Sequence, residues 1–164
     1  MNLCDYDSIR ELLARHGFHF SKSMGQNFLI DPAVPAAIAD ASKADKGCGV
    51  LEIGPGIGPL TAELAARAGR VVSVELDKAL LPVLAETMAP YSNVEIVPGD
   101  VMKLDLAKLA EEKLSGLRPI VCANLPYNIT TPVLTRLVET PCFESLTVLI
   151  QKEVAQRLAA PQGS

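Results

Sequence analysis

Short apolar runs alternate with amphipathic stretches along the chain, and this alternation predicts strands separated by helices. Most of the apolar runs end abruptly in glycine, proline, asparagine or an acidic residue, which is typical of strands that stop at a turn. A polar, glycine-containing segment at 21–29 predicts a loop. The predicted strands are 49–53, 71–75, 94–97, 120–123 and 146–150. The predicted helices are 8–15, 31–42, 59–67, one after residue 77, 106–114, 131–139 and 153–159.

Residues at the helix ends support these boundaries. The pairs Asp31-Pro32 and Thr131-Pro132 each place a capping side chain before a proline, which favours a helix start. Gly69 suits the C-terminal cap of the helix before it. Asp77 could cap the next helix, but Pro82 near its first turn predicts a break or a late start.

Five strands, each separated by a helix, predict parallel pairing with right-handed crossovers, and therefore an α/β layered sheet. The first four strands are largely apolar, as expected when helices cover both faces of the sheet. Ligands of such sheets bind beyond the carboxyl ends of the strands, where the strand order reverses. Candidate functional residues are therefore sought at the strand ends.

Composition narrows the class of protein. The 164 residues suit one domain, and 49% hydrophobic with 21% charged residues is a globular balance. No long uninterrupted apolar run predicts a membrane span, and the acidic start of the chain argues against a secretory signal, so we expect a cytoplasmic protein. The cysteines are far apart and form no CxxC pair, which predicts small buried thiols rather than a disulfide framework or a metal site. They are Cys4, Cys48, Cys122 and Cys142.

The formal net charge of −4 bears on any nucleic-acid hypothesis. Proteins that bind nucleic acid usually carry a basic surface, because contacts to phosphates supply much of the affinity. A role on RNA must therefore rest on a local site, or on sequence outside this chain.

The segment EIGPGIG at 52–58 closes the first predicted strand and leads into a helix. Its glycines permit a tight turn and let a ligand approach the backbone, and Glu75 ends the next strand roughly twenty residues on, where an acid can hold ribose hydroxyls. These features favour a cofactor that contains adenosine. The alternative is a tight turn with a solvated acid nearby. No Gly-Lys-Ser/Thr follows the loop, so triphosphate binding is disfavoured.

The spacing of the glycines separates two kinds of cofactor. A dinucleotide fingerprint has the form G-x-G-x-x-G, but here the spacing is G-x-G-x-G and Pro59 stands at the third glycine position. Asp100 follows the third strand and could accept a hydrogen bond from an adenine amine, or simply form an Asx turn. Together with Glu52 and Glu75, it makes three acids at three strand ends, a pattern that suits a cationic ligand without phosphate. S-adenosylmethionine fits that description.

Six motifs together resemble the ribosomal RNA adenine dimethyltransferase family. They are SMGQNFLID at 23–31, EIGPG at 52–56, VELD at 74–77, GDV at 99–101, NLPYNI at 124–129 and QKEV at 151–154. The resemblance spans about residues 22–157. It implies a Rossmann-like methyltransferase fold, with a mostly parallel sheet in the order 3-2-1-4-5. It also implies S-adenosylmethionine as cofactor and methylation of adenines in small-subunit ribosomal RNA, the expected partner.

The resemblance also implies roles for individual residues of the cofactor site. Gly54 would lie against the amino-acid end of the cofactor, Glu75 would hold the ribose, and Asp100 would hold the adenine. Asn124 would stand between the cofactor and the target base. The full set implied to bind the cofactor is Asn27, Leu29, Gly54, Gly56, Glu75, Asp100, Val101 and Asn124.

The acceptor site would lie in the segment that follows the fourth strand. The Asn124 side-chain oxygen and the Leu125 carbonyl would accept the two N–H groups of the target amine, and Pro126 would hold the Leu125 carbonyl rigidly. Tyr127 would stack on the flipped base, and Phe28 could cover its other face or simply pack. No general base and no metal are expected.

The chain also departs from the family pattern. Family members carry further sheet strands and a C-terminal helical domain that helps to bind RNA, whereas this chain ends soon after its fifth predicted strand. We therefore expect residues 1–164 to be a cofactor-binding catalytic domain, a fragment truncated before the last strands and without the helical domain. Such a fragment would leave the fifth strand as an exposed edge and could be inactive alone.

Three other functions are considered. A related methyltransferase acting on large-subunit ribosomal RNA would use the same chemistry. A non-catalytic RNA-binding assembly factor could retain the fold, but it would have no need of Glu75, Asp100 and Asn124 together. A dehydrogenase is disfavoured by the glycine spacing.

Overall fold

The structure is a computed structural model that describes residues 2–18, 31–125 and 130–149. The predicted loop at 21–29 and the predicted helix at 153–159 lie outside these residues, as do Asn27, Phe28, Leu29 and Tyr127.

Helices and strands alternate along the described residues. The helices are α1 (Tyr6–Arg15), α2 (Ala33–Ala41), α3 (Pro59–Arg67), α4 (Leu81–Thr87), α5 (Leu106–Lys113) and α6 (Thr130–Val138). A short 3-10 helix, Lys78–Leu80, precedes α4. The strands are β1 (Cys48–Ile53), β2 (Arg70–Glu75), β3 (Val94–Pro98), β4 (Arg118–Asn124) and β5 (Leu146–Leu149).

The strands form one parallel sheet in the order β3-β2-β1-β4-β5. The chain first builds the sheet outwards from β1 through β2 to β3, and then returns to the other side of β1 for β4 and β5. Strand order therefore reverses between β1 and β4, and this gap is the switch point where such folds bind ligands. The predicted α/β class and the expected strand order are both confirmed.

Helices cover both faces of the sheet. Successive β1 side chains point to opposite faces, so Val50 packs with Leu64 of α3, whereas Leu51 packs on the other face with Leu106 of α5. β1 is buried along its whole length, as predicted. β3 is only partly buried because it lies at the edge of the sheet.

The predicted helix starts are confirmed in part. Asp31 Oδ1 accepts the Ala33 N–H at 2.9 Å at the start of α2. Asp77 caps the 3-10 helix through the Ala79 N–H at 2.9 Å, and regular α-helix starts only at Leu81, in agreement with the late start expected from Pro82. The Thr131-Pro132 prediction was wrong in position, because α6 already begins at Thr130.

Gly69 has a different role from the one predicted. The C-cap of α3 is Ala68 in an extended conformation, and Gly69 is not among the glycines with positive φ. A Cβ at Gly69 would lie 2.5 Å from the Lys46 carbonyl oxygen. The chain therefore needs glycine there because the backbone entering β2 passes very close to the backbone before β1.

The N-terminal helix α1 packs against the glycine loop that follows β1. Its buried face, which includes Leu12 and Leu13, shares a hydrophobic cluster with Ile57 of that loop and with Val83 of α4. Beside this cluster, both Nη groups of Arg15 donate to the Glu86 carboxylate, at 2.7 and 2.9 Å. Thus α1 stabilises the position of the glycine loop through this cluster.

Candidate active site

Three candidate site residues emerge side by side at the switch point. Ile53 of β1 is in register with Val74 of β2 and with Ala123 of β4. The next residue of each strand, Gly54, Glu75 and Asn124 respectively, therefore lies at the same carboxyl edge of the sheet. The crevice at the switch point therefore lies between the ends of β1 and β4, beside Gly54 and Asn124.

The glycine loop has a backbone that only glycine adopts without strain. Gly54, Gly56 and Gly58 have φ values of +68°, +62° and +104°. The Gly54 N–H donates to the Val74 carbonyl at 3.0 Å, which fixes the start of the loop on β2. Apart from Gly54 and its two chain neighbours, no described residue has an atom within 4 Å of the position that a Gly54 Cβ would occupy. The loop therefore presents bare backbone beside the switch point.

The Glu75 carboxylate ties this loop to the end of β2. Its Oε1 accepts the Gly56 N–H at 3.3 Å and its Oε2 accepts the Asp77 N–H at 2.9 Å. Burial raises the pKa of Glu75, and the N–H groups of Asp77 and Gly56 oppose that rise. These bonds hold the carboxylate in a fixed orientation, in which it can also accept hydroxyl donors.

Glu52 does not face the crevice, contrary to the prediction that three acids would surround the ligand. It shares the face of β1 that packs on α3, and it is only 1% exposed. Its Oε1 accepts the hydroxyls of Thr61, at 2.5 Å, and Ser73, at 2.7 Å. Burial raises the pKa of Glu52 to about 7; the two hydroxyls oppose the rise and the charge of Glu75 adds to it. A serine within the apolar strand VVSVE was the available sequence signal for this buried cluster.

Asp100 begins a compact turn after β3. The preceding Gly99 donates its N–H to the Glu75 carbonyl at 3.0 Å, which places Asp100 next to the end of β2. Asp100 Oδ1 accepts the Met102 N–H at 2.9 Å, so the Asx turn that the sequence allowed is present. Its Oδ2 has no hydrogen-bond partner within the described part of the chain, and remains available to a ligand. Val101, the next residue, is buried.

Asn124 and Leu125 close the fourth strand. The Asn124 side chain is half-buried, and no donor or acceptor of the described residues bonds its amide. Leu125 is 3% exposed, and its N–H donates to the Leu149 carbonyl of β5 at 3.2 Å. The backbone at this position is therefore anchored to the neighbouring strand, while the Asn124 amide keeps its hydrogen-bonding capacity.

Metal-ligating side chains do not cluster in the part of the chain that the structure describes: no group of three His, Cys, Asp or Glu residues is found there. The cysteines carry free thiols. Cys48 and Cys122 are buried as predicted, but Cys4 is half-buried and Cys142 is exposed. Within the same ranges no helix is long and apolar enough to cross a membrane.

Solved structures with the same architecture define the class of protein. The 23S rRNA methyltransferase ErmE is 31% identical with a TM-score of 0.66, and the match covers 77% of this chain and 49% of that chain. A dimethyladenosine transferase from Plasmodium falciparum is 28% identical with a TM-score of 0.66, covering 82% of this chain and 46% of that chain. The fold is that of a Rossmann-like methyltransferase.

The family follows from the sequence match. The model of the ribosomal RNA adenine dimethylase family matches residues 17–164, and the chain belongs to this family. The ribosomal RNA small subunit methyltransferase A of Alkaliphilus oremlandii (strain OhILAs) is 48% identical over 156 residues, which cover 94% of this chain. The chain spans about half the length of that relative, 54%.

Proposed function

We propose that the protein transfers methyl groups from S-adenosylmethionine to the exocyclic amine of adenines in small-subunit ribosomal RNA, forming dimethyladenosine. The observation that carries this proposal is the emergence of Gly54, Glu75 and Asn124 side by side at the switch point of a chain in this family. In this proposal the cofactor binds beside the Asn124 amide, which has no hydrogen-bond partner among the described residues.

The described residues fit the cofactor on chemical grounds. The bare backbone at Gly54 leaves room for its amino-acid end, the oriented carboxylate of Glu75 can accept ribose hydroxyls, and Asp100 Oδ2 can accept the adenine amine. Gly56 and Val101 would line the same site. When bound, S-adenosylmethionine supplies an electrophilic methyl group on a sulfonium. Asn27 and Leu29 would add contacts from the N-terminal loop, as the family resemblance implies.

The acceptor residues would activate the adenine amine by position and electrostatics. The lone pair of this amine is delocalised into the ring, so the nitrogen is a poor nucleophile. If the Asn124 side-chain oxygen and the Leu125 carbonyl accept its two N–H bonds, the nitrogen becomes more tetrahedral and its lone pair can point at the methyl group. Such alignment can contribute several of the ~7–11 kcal/mol available from orientation. The anchoring of Leu125 on β5 supports a fixed carbonyl.

Aromatic side chains would hold the flipped base. We propose that Tyr127 stacks on it, which contributes roughly 1–3 kcal/mol per base, and that Phe28 covers the other face or packs beside it. The net charge of −4 provides little attraction to phosphate, so we propose that residues 1–164 form the catalytic domain and that RNA contacts are also made from outside them. The proposed site of action is the cytoplasm, on the small ribosomal subunit.

The large-subunit alternative is disfavoured by similarity. The chain is 48% identical to a small-subunit methyltransferase but 31% identical to ErmE, which is a 23S rRNA methyltransferase. A non-catalytic assembly factor is disfavoured because the Asn124 amide is held at the crevice without a structural partner in the described residues.

Titration calorimetry with S-adenosylmethionine and with NAD tests the cofactor, and methyl transfer to isolated small and large ribosomal subunits, by the complete gene product, tests the reaction. Binding of NAD alone would overturn the proposal, and transfer to large subunits alone would favour the alternative. Asn124→Ala should abolish transfer while leaving cofactor affinity within roughly tenfold, about 1.4 kcal/mol. Asn2→Ala, at an exposed asparagine near the N-terminus, is the matched control. Turnover by Asn124→Ala would refute the role of Asn124.

A further inference from the structure

The guanidinium of Arg136 on α6 is bonded to backbone carbonyls instead of to an acid. Its Nε donates to the Val101 carbonyl at 2.8 Å, and its Nη2 donates to the Leu104 carbonyl. No carboxylate among the described residues forms an ion pair with it. A half-buried arginine whose guanidinium donates to the backbone carbonyls of one loop fixes the position of that loop.

The loop in question contains the proposed adenine contact. The Asp100 carbonyl accepts the N–H groups of Lys103 and Leu104, at 2.9 and 3.0 Å, and the Asp100 side chain accepts that of Met102. These bonds set the internal shape of the loop. These internal bonds do not connect the loop to other elements of the domain. Arg136 makes such a connection, from α6 to the carbonyls of Val101 and Leu104.

The helix that carries Arg136 also follows the acceptor segment. α6 begins at Thr130, a few residues after Asn124 and Leu125. Two of its residues, Val133 and Leu137, pack in the same hydrophobic cluster as Val101 and Leu125. One helix therefore contacts both the loop that would bind the adenine and the segment that would bind the target base.

We propose that Arg136 is a positioning residue that holds the Asp100 carboxylate where it selects adenosine over its deaminated counterpart. This inference rests on the proposed function. An adenine amine donates a hydrogen bond to a carboxylate oxygen. Hypoxanthine presents a carbonyl oxygen at the same position, and because both oxygens are acceptors no hydrogen bond forms. A site built around such a hydrogen bond discriminates strongly between the two bases, but only while the accepting carboxylate of Asp100 is held in place.

The test compares calorimetric affinities for S-adenosylhomocysteine and S-inosylhomocysteine. The unmodified protein should prefer the adenosyl ligand by more than about tenfold, and Arg136→Met should lower this preference at least about fivefold. Arg118→Met is the matched control, because Arg118 is an exposed arginine paired with Asp45 at the opposite end of β4. This control should retain the preference.

The ratio of the two affinities separates positioning from general stabilisation. If Arg136 only stabilises the fold, its removal weakens both ligands alike and leaves the ratio unchanged, and that result would overturn the inference. Arg136→Lys provides a second variant if the Met variant does not fold. A single ammonium cannot bond both carbonyls in the planar geometry of a guanidinium, so the ratio should still fall at least about threefold.

Asp100→Asn distinguishes this inference from the proposed site itself. If Asp100→Asn keeps the full preference for the adenosyl ligand, the adenine site is wrongly placed and the proposed function loses support. If Asp100→Asn abolishes the preference but both Arg136 variants keep it, the site stands and the role of Arg136 is wrong. Loss of the preference in Asp100→Asn, together with a lowered preference in the Arg136 variants, supports both the adenine site and the role of Arg136.

Discussion

Replacing Glu52 with glutamine should stabilise the protein above neutral pH and leave its stability at acidic pH almost unchanged. The Glu52 side chain is buried between α3 and β2, and Oε1 accepts the hydroxyls of Thr61 and Ser73. Cys122 is its register partner on β4, and the charge of Glu75 also raises the pKa of Glu52. Glutamine keeps a carbonyl oxygen for both hydroxyls and removes the charge.

The magnitude follows from the pKa of the buried carboxyl. Burial raises the pKa of Glu52 to about 7 from an ordinary value of 4.5. The folded state therefore binds this proton more tightly than the unfolded state. The resulting stabilisation is complete below the unfolded pKa and is lost as pH rises through the folded pKa. At about 1.4 kcal/mol per pKa unit, the charged form costs about 3 kcal/mol above pH 7.

Urea unfolding of the unmodified protein and of Glu52→Gln, at about pH 4 and about pH 8.5, measures this cost. Apart from Glu75, whose charge acts on Glu52, the other carboxyl groups titrate alike in both proteins, so the difference between the two free energies of unfolding reports the charge of Glu52. That difference should be near zero at the lower pH and approach about 3 kcal/mol in favour of the variant at the higher pH. Glu111→Gln, at an exposed glutamate of α5, should follow the unmodified protein at both.

Two results would refute the reasoning. If Glu52→Gln is less stable than the unmodified protein at the higher pH, the hydroxyl donors stabilise the carboxylate by more than burial destabilises it. If the variant differs by the same amount at both pH values, the effect comes from packing and not from the charge.

Three further predictions concern the proposed cofactor site and the packing of the domain. Glu75→Gln should weaken S-adenosylmethionine binding more than about tenfold in calorimetry, because one anionic acceptor for ribose hydroxyls is lost; unchanged affinity would remove Glu75 from the site. Leu12→Ala, at a residue that is 0% exposed, should cost about 2–5 kcal/mol of unfolding free energy in urea, and a cost below about 1 kcal/mol would contradict the packing of α1. Gly69→Ala should cost about 1–3 kcal/mol, because its Cβ would meet the Lys46 carbonyl; a neutral effect would show that the backbone yields there.

Local sequence pattern predicts most of the fold because buried parallel strands are short apolar runs with abrupt ends. The run IVCA before Asn124 and the run VLEI before Gly54 predict β4 and β1 to within about two residues. Their alignment at one edge follows from parallel pairing, so the place of the candidate site is also predictable. The order of the strands in the sheet is not predictable in this way, since the apolar pattern does not indicate which strands pair. The expected order came from the family resemblance.

The contacts that the pattern could not reveal join residues that are distant in sequence. Arg136 bonds the carbonyl of Val101, 35 residues earlier, and this contact depends on how α6 packs over the sheet. The direction of Glu52 depends on its register with Ser73, 21 residues later. Gly69 resembles a helix cap locally, but its conformation is determined by the close passage of the backbone near Lys46.

The packing of α1 on the glycine loop has a consequence for synthesis on the ribosome. Translation proceeds from the N-terminus at about 5–20 residues per second, so α1 leaves the ribosome before β1 and α4. Its apolar face meets Ile57 and then Val83 only after roughly seventy further residues have been made, because the cluster also needs α4. For several seconds Leu12 and Leu13 lack their native partners and are exposed to non-native contacts. α1 can therefore pack in its final position only after α4 has been made, and the glycine loop gains its support from α1 only then.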